Sequence, residues 1–486
     1  MKRWKLLLLS CSWAFVVQAQ NTFPVNGVAD NRSGYYALTN ATIVTQPGTT
    51  LTGATLVIKD GRVVAVGNGV TVPKEAVVID CKGKYIYPSF VDAYSDYGVQ
   101  QPQRQQGQFN FFAAAQLTSN TKGAFGWNQA IKADANAGSI FTVDEAKARQ
   151  LRESGFGVVS THIKDGIVRG TGAVVTLASE RDNKVIVKEK ATAHYSFSKG
   201  TSTQSYPSSL MGSIALLRQT YYDAAWYKSA PKTEGVNMSL QAFNGIQGLP
   251  QIFDIIERGA DHTTKWNALR ADRIGDEFGV QYILKASGYE YQRIQDMKAT
   301  NAAFILHLNF PQAMDVEDPN DARFVSLADM KHWEMAPSQP AAFEKAGIPF
   351  CISATELRDT KQFLAQLRKA IEYGLSEQKA LEAITTAPAA MLQVSNEVGS
   401  IAVGKWANFL VTNGPLFAEK TTILQNWVQG NKYAVKEDVW NNYDGLYNLT
   451  VNGNAVQKPT NSKLKTAPPI YLGKTPLVLS GLAMAK

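Results

Sequence analysis

Histidine is scarce in this chain. There are five in 486 residues, at His162, His194, His262, His307 and His332, and no two stand two or four positions apart. A hydrolytic metal centre draws three or more donors, commonly imidazoles at such spacings, so no local histidine motif for a metal is present. Cysteine is equally sparse, with only Cys11, Cys81 and Cys351. Three cysteines far apart make neither a disulfide framework nor a zinc spacing. Cys81 and Cys351 sit in apolar, strand-like surroundings and read as buried free thiols. Beyond residue 19 no stretch approaches the roughly 18 uninterrupted apolar residues of a membrane span. Lysine and arginine are scattered without a run of five, so the formal charge of +8 is not the footprint of a nucleic-acid binder.

What remains is an ordinary globular composition, 45% hydrophobic and 19% charged, which excludes disorder as the starting assumption. The N-terminus is a processing signal. Lys2, Arg3 and Lys5 precede an apolar run over residues 6–17, and Val17-Gln18-Ala19 fits a small-residue cleavage site. A signal peptide over 1–19 implies export to the periplasm or the medium. Leu8-Leu9-Ser10-Cys11 is lipobox-like, but the apolar run before Cys11 is very short and continues past it. Cleavage near Ala19 is therefore preferred to a lipid anchor on Cys11.

Residues 35–84 alternate short β-branched runs with glycine turns, and Asp60-Gly61 between two such runs is a hairpin signal. A second β-rich segment returns only after Gly399. Between them, apolar runs suited to buried strands end at Thr161, Asp254, Ala286, His307 and Ser353, spaced by helical stretches. Leu210, Ile214, Leu217 and Tyr221 recur at helical spacing. Residues 359–373 form an amphipathic helix closed by Gly374, and Ser376 is placed to cap the next one. Gly170-Thr171-Gly172 lacks a phosphate-loop lysine and reads as a turn. Residues 195–227 carry Tyr195, Phe197, Tyr206, Tyr221, Tyr222, Trp226 and Tyr227, mostly core, with an exposed part suited to a partner or an entrance.

Several of these segments resemble one family. Lys59-Asp60-Gly61-Arg62-Val63-Val64-Ala65-Val66-Gly67, Tyr85-Ile86-Tyr87-Pro88-Ser89-Phe90-Val91-Asp92-Ala93-Tyr94-Ser95-Asp96, Ala383-Ile384-Thr385-Thr386-Ala387-Pro388-Ala389 and Val398-Gly399-Ser400-Ile401-Ala402-Val403-Gly404-Lys405 look like the entry and exit of the amidohydrolase superfamily, closest to its imidazolonepropionase-like branch. The resemblance covers roughly residues 35–436. It implies an α/β fold, a (β/α)8 TIM barrel with a composite β-sandwich built from both chain ends. The implied divisions are 20–87 and 397–436 for the two halves of the sandwich, 88–396 for the barrel and 437–486 for a C-terminal extension.

The family's chemistry rests on zinc or another divalent metal, held by two histidines on strand one and one each on strands five and six, with an aspartate base on strand eight. In this sequence the strand-one positions hold Tyr94 and Asp96, the strand-five position Asp254 or a neighbour, the strand-six position Lys285 or Ala286, and the strand-eight position Thr355. His307 ends strand seven, and a locally satisfied histidine is preferred there to a ligand. No position keeps its expected residue. The expectation is accordingly a catalytically degenerate, metal-free homologue without a cofactor, a pseudoenzyme whose barrel mouth is lined by Tyr94, Asp96, Asp254, Lys285, His307 and Thr355. It would bind a small molecule, or pair with a catalytically intact relative or with itself. The alternative is an active hydrolase of C–N bonds using a non-standard metal site drawn from Asp96, Asp254, Lys285 and His307.

Overall fold

The computed structural model describes residues 34–103, 115–121, 123–124, 126, 128–229, 235–257 and 259–436, together with four two-residue strands nearer the C-terminus. The segment 1–19 expected to be a signal peptide, Cys11 within it and most of residues 437–486 lie outside the described residues. The chain divides into two units, 1–436 and 437–486. In the second, Thr450–Val451 pairs with Asn454–Ala455 and Tyr471–Leu472 with Thr475–Pro476. Among the described residues no helix is long and apolar enough to cross a membrane.

The Asp60-Gly61 signal is a two-residue turn with both φ angles positive, +49° and +79°, the conformation that matches the twist of a hairpin. It joins β2 (Thr49–Lys59) to β3 (Arg62–Gly67). β2 pairs antiparallel with β1 (Tyr35–Gln46), which also takes β4 (Val77–Asp80) and β5 (Tyr85–Pro88) as parallel neighbours. From the far end of the unit come β14 (Phe409–Thr412), β15 (Ile423–Val428) and β16 (Asn431–Ala434). β14 pairs antiparallel with β5, so both flanks of the barrel are hydrogen-bonded into one eight-stranded sheet. Its seam is packed by Trp427, fully buried between Tyr36 and Phe409 at ring distances of 5.0 and 5.4 Å.

The second sheet is the barrel, β6 to β13 in sequence order. Its strands are β6 (Phe90–Ser95), β7 (Phe156–Thr161), β8 (Val168–Thr176), β9 (Ile186–Ser196), β10 (Gln251–Asp254), β11 (Ile283–Lys285), β12 (Ala303–His307) and β13 (Phe350–Ser353). The first and last strands are joined by side chains: Ser353 Oγ donates to the Tyr94 carbonyl at 3.2 Å, and the Ala354 N–H to Asp92 Oδ2 at 3.2 Å. The ends at Thr161, Asp254, His307 and Ser353 fall where the sequence places them, and β11 stops one residue before Ala286. Helices Leu210–Ser229, Trp266–Phe278, Phe363–Glu372 and Glu377–Ile384 cover the outside, the last capped by Ser376 Oγ accepting from the Lys379 N–H. Cys81 and Cys351 are buried and free.

The barrel departs from strict β/α alternation at one place. β8 runs antiparallel to both β7 and β9. A parallel return needs a crossover of about a dozen residues or more, and only residues 162–167 separate β7 from β8, so the chain folds back as a hairpin. The Gly170-Thr171-Gly172 segment, read as a turn, lies inside this buried strand. The mistake has a local cause. Gly170 adopts φ +77°, and a Cβ there would sit 2.0 Å from the Ala135 carbonyl oxygen, where the 130–136 segment bridges onto β8. The glycines serve close approach of backbone within a strand.

Of the aromatic segment, Tyr195 and Phe197 are fully buried and Tyr221 nearly so, whereas Tyr222 and Trp226 stand more than half exposed on the helix Leu210–Ser229.

Replacing Gly170 by Ala is expected to lower unfolding stability by about 2 to 3 kcal/mol in urea titrations. Gly245→Ala, in the helix Met238–Ile246 with nothing within 4 Å of the new Cβ, is expected to raise it by about 0.5 to 1 kcal/mol. Equal effects at the two positions would contradict the role of β8's close approach.

Candidate functional site

Side chains alternate along a strand, so Asp92 and Tyr94 on β6 share a face. Tyr94 is buried in the barrel, and its hydroxyl donates to Asp254 Oδ2 at the end of β10, 2.7 Å away. Arg169 reaches the same two groups from β8, its Nη1 at 2.9 Å from the Tyr94 hydroxyl and 3.1 Å from Asp254 Oδ2. Lys285, at the end of β11, approaches the other Asp254 oxygen at 3.4 Å and donates to Glu356 Oε1 at 2.6 Å. Four ionic groups thus form one chain: Arg169, Asp254, Lys285, Glu356. The side chains of Arg169 and Lys285 are 6% and 2% exposed.

Burial opposes every charge in this chain, and the neighbours decide the outcome. For Asp254, desolvation pushes the carboxyl upward, but the Lys285 and Arg169 cations outweigh it and hold the group well below the usual carboxylate range. Burial and the Asp254 charge raise the Tyr94 phenol, which stays a donor. Glu356 is also held low by Lys285 against the desolvation effect. Glu356 sits at φ +66°, a left-handed backbone that costs a non-glycine residue about 1 to 3 kcal/mol unless its surroundings compensate. Its bond to Lys285 is such a compensation.

Two histidines lie against this network. His162 and His194 stack in parallel with ring centroids 3.6 Å apart, and Tyr94 meets His162 edge-on at 4.4 Å. Burial depresses both imidazoles, with the Arg169 charge adding to it, so both are neutral. His307 ends β12. Its Nδ1 accepts the Asn309 N–H at 3.3 Å, which leaves the proton of the neutral ring on Nε2, and Nε2 has no hydrogen-bond partner among the described residues. Burial and the nearby Lys285 charge lower its pKa.

The mouth opens into two cavities. The larger, of about 750 Å3, is lined by Ser287, Gly288, Tyr289, His307, Glu356 and Arg358 among others. The smaller, of about 290 Å3, is lined by Asp92, Asp96, Lys164 and Thr355, and again by Glu356. Glu356 and Leu357 border both.

Of the six positions expected at the mouth, Tyr94, Asp254 and Lys285 meet in one network and His307 lies beside Lys285. Asp96 does not join them. It stands half-exposed beyond β6 with Lys164 Nζ at 3.5 Å. Thr355 is also outside, its N–H donating to Ser353 Oγ at 3.0 Å. Sequence reasoning missed Arg169, Glu356 and Asp92. Arg169 directly precedes the Gly170-Thr171-Gly172 segment read as a turn. Glu356 follows Thr355 directly, so a charge one residue past the expected base was the available signal. Asp92 was in plain view within the β6 frame.

A divalent metal does not fit this donor set. Arg and Lys nitrogens carry donors only, and both occupy the space between the carboxylates. Among the described residues no three His, Cys, Asp or Glu side chains converge as metal ligands, which includes the reduced set Asp96, Asp254 and His307.

Comparisons with known proteins agree with this geometry at the level of the fold. Residues 344–442, from before β13 to beyond β16, match the model of the amidohydrolase family. An amidohydrolase from Thermotoga maritima superposes with a TM-score of 0.63 at 20% identity, covering 82% of this chain and 99% of that one. A prolidase complexed with N-methylphosphonate-L-proline gives 0.46 at 14% identity over 82% and 99% of the two chains. Molinate hydrolase gives 0.46 at 14% over 82% and 95%. No curated protein sequence matches. The family match covers residues 344–442, and the likeness to the Thermotoga maritima protein shows a shared fold.

Asp92 carries the pH-sensitive signature of the mouth. Burial raises its carboxyl to about 6, against hydrogen bonds from Ser353 and from the Tyr94 and Ala354 N–H groups. A carboxyl raised in the fold favours folding when protonated, so its contribution is present below the ordinary carboxylate range and lost as pH rises through about 6. Asp254 has the opposite sign, its contribution being lost as pH falls. Carboxyl-carbon NMR is expected to show Asp92 titrating near about 6 and Asp254 still ionised well below it. An Asp92 midpoint in the ordinary range would contradict its burial.

Proposed function

We propose that this protein is an exported member of the amidohydrolase superfamily, of the imidazolonepropionase-like branch, that has lost metal-assisted hydrolysis and uses the barrel mouth to bind a small molecule. The observation that carries this reading is the chain Arg169–Asp254–Lys285–Glu356, with Tyr94 bonded to its centre. Metal hydrolysis requires a cation with open coordination that lowers the pKa of bound water, and a carboxylate free to take the proton. Here the two cations are side chains without open coordination. Asp254 is committed to both of them and to Tyr94, so it is a poor proton acceptor.

A cavity of about 750 Å3 beside the network is within the size range of small-molecule sites. His307 lines that cavity, with its Nε2 buried behind the wall. Export rests on the N-terminal segment alone. An intact relative as partner, or self-association, is compatible with the exposed Tyr222 and Trp226 and has no further support.

Elemental analysis of protein purified from its export compartment tests the reading. The expected result is less than about a tenth of a zinc, iron or manganese ion per chain, and no hydrolysis of amide substrates above the uncatalysed rate. Stoichiometric metal whose removal abolishes C–N hydrolysis would overturn it.

A further inference from the structure

The site described above has an imbalance hidden in it. Arg169 and Lys285 bring two positive charges to a buried position, and Asp254 alone provides one fixed negative charge from a barrel strand. The second negative charge comes from Glu356, which is not on a strand. It lies three residues past the end of β13, in a left-handed backbone conformation, with its side chain 40% exposed. One end of the Lys285–Glu356 pair is therefore sealed in the barrel, and the other stands in the open mouth between two cavities.

A movable carboxylate on a buried ammonium occupies the place where a second carboxylate could bind. When Glu356 turns outward, the buried network is left with an excess of one positive charge. An uncompensated buried charge is costly, so the vacated position attracts an anion strongly. Other groups around it are suited to the same guest. His307 lines the larger cavity, its Nε2 buried close against Gly288, where a Cβ would come within 3.3 Å of it. Arg358 lines the same cavity, exposed and without an ion-pair partner among the described residues. Lys285 and Arg358 offer only donors toward it in these states.

We propose that the barrel mouth binds a small organic carboxylate, with Glu356 as its internal stand-in: the ligand's carboxylate displaces Glu356 from Lys285 Nζ. This rests on the reading of the mouth as a ligand site and adds the chemistry of the ligand and the residue that competes with it. A second carboxylate or polar group on the ligand would reach Arg358 at the rim. Because Glu356 competes for the same ammonium, the apparent affinity of the wild-type protein is reduced by the fraction of molecules in which Glu356 is still in place.

Glutarate serves as the probe, with inorganic phosphate as the comparison. Titration calorimetry of the whole exported protein is expected to show glutarate binding, and binding about tenfold tighter to Glu356→Gln, which keeps the shape of the side chain and removes its charge. Phosphate is expected to bind neither form comparably. Equal or weaker glutarate binding by the variant, or a preference for phosphate, would overturn the proposal. If the variant does not fold, a crystal structure of wild-type protein with glutarate decides. A ligand carboxylate at Lys285 Nζ with Glu356 turned away supports the proposal, and Glu356 unmoved at saturating glutarate overturns it. The outcome separates from the metal question: metal-free protein indifferent to glutarate refutes this inference alone, whereas stoichiometric metal in a protein that binds glutarate at Lys285 refutes only the metal-free reading.

Discussion

A buried ammonium between two carboxylates is the constraint on which the barrel mouth depends. Lys285 has almost no exposure, and removing an ammonium from water costs several kcal/mol even after relaxation, a cost that Asp254 and Glu356 offset by facing it. Asp254 in turn is shared with Arg169 and with the Tyr94 hydroxyl. The requirement propagates outward: it holds β6, β8, β10 and β11 in mutual register at their mouth ends and favours the unusual backbone of Glu356. No single pair could achieve this. Removing any one of the four ionic groups leaves the network with an unbalanced charge.

The hairpin at β8 is what brings the second cation inside. A conventional crossover after β7 would have needed a helix and would have delivered a parallel strand. With only residues 162–167 between them, β8 instead returns antiparallel and carries Arg169 into the barrel facing Tyr94 and Asp254. The local departure from barrel alternation and the arrival of Arg169 at the mouth are thus the same event in the chain. The stacked His162 and His194 lie at the ends of the strands that flank this hairpin, kept neutral by burial and by the neighbouring cations.

Much of the frame was legible in the sequence because it rests on short-range rules. The Asp60-Gly61 turn, the Ser376 cap, the glycine at 374 and the strand ends at Thr161, Asp254, His307 and Ser353 each follow from local residue chemistry, and Tyr94, Asp254 and Lys285 could be placed at the mouth from their strands. Two things were not legible. Gly170-Thr171-Gly172 has the composition of a turn, and only the packing of the 130–136 segment reveals that its glycines admit a neighbouring backbone. Glu356 has no periodicity to mark it. Its role depends on a side chain reaching from a loop to a lysine 71 positions away, a distance in sequence that no local pattern encodes. The scarcity of histidine was visible in the sequence, but the ion network at the mouth required coordinates.

The account's central claim is that Asp254 and Lys285 stabilise the barrel as a coupled pair, and a double-mutant cycle measures this most directly. Urea unfolding of Lys285→Met is predicted to show a loss of about 3 to 5 kcal/mol, because Asp254 and Glu356 are left facing no ammonium. Adding Asp254→Leu is predicted to cost less in that background than in the wild type, by a coupling energy of about 2 to 3 kcal/mol. Effects of the two substitutions that add to within about 0.5 kcal/mol would contradict the claim.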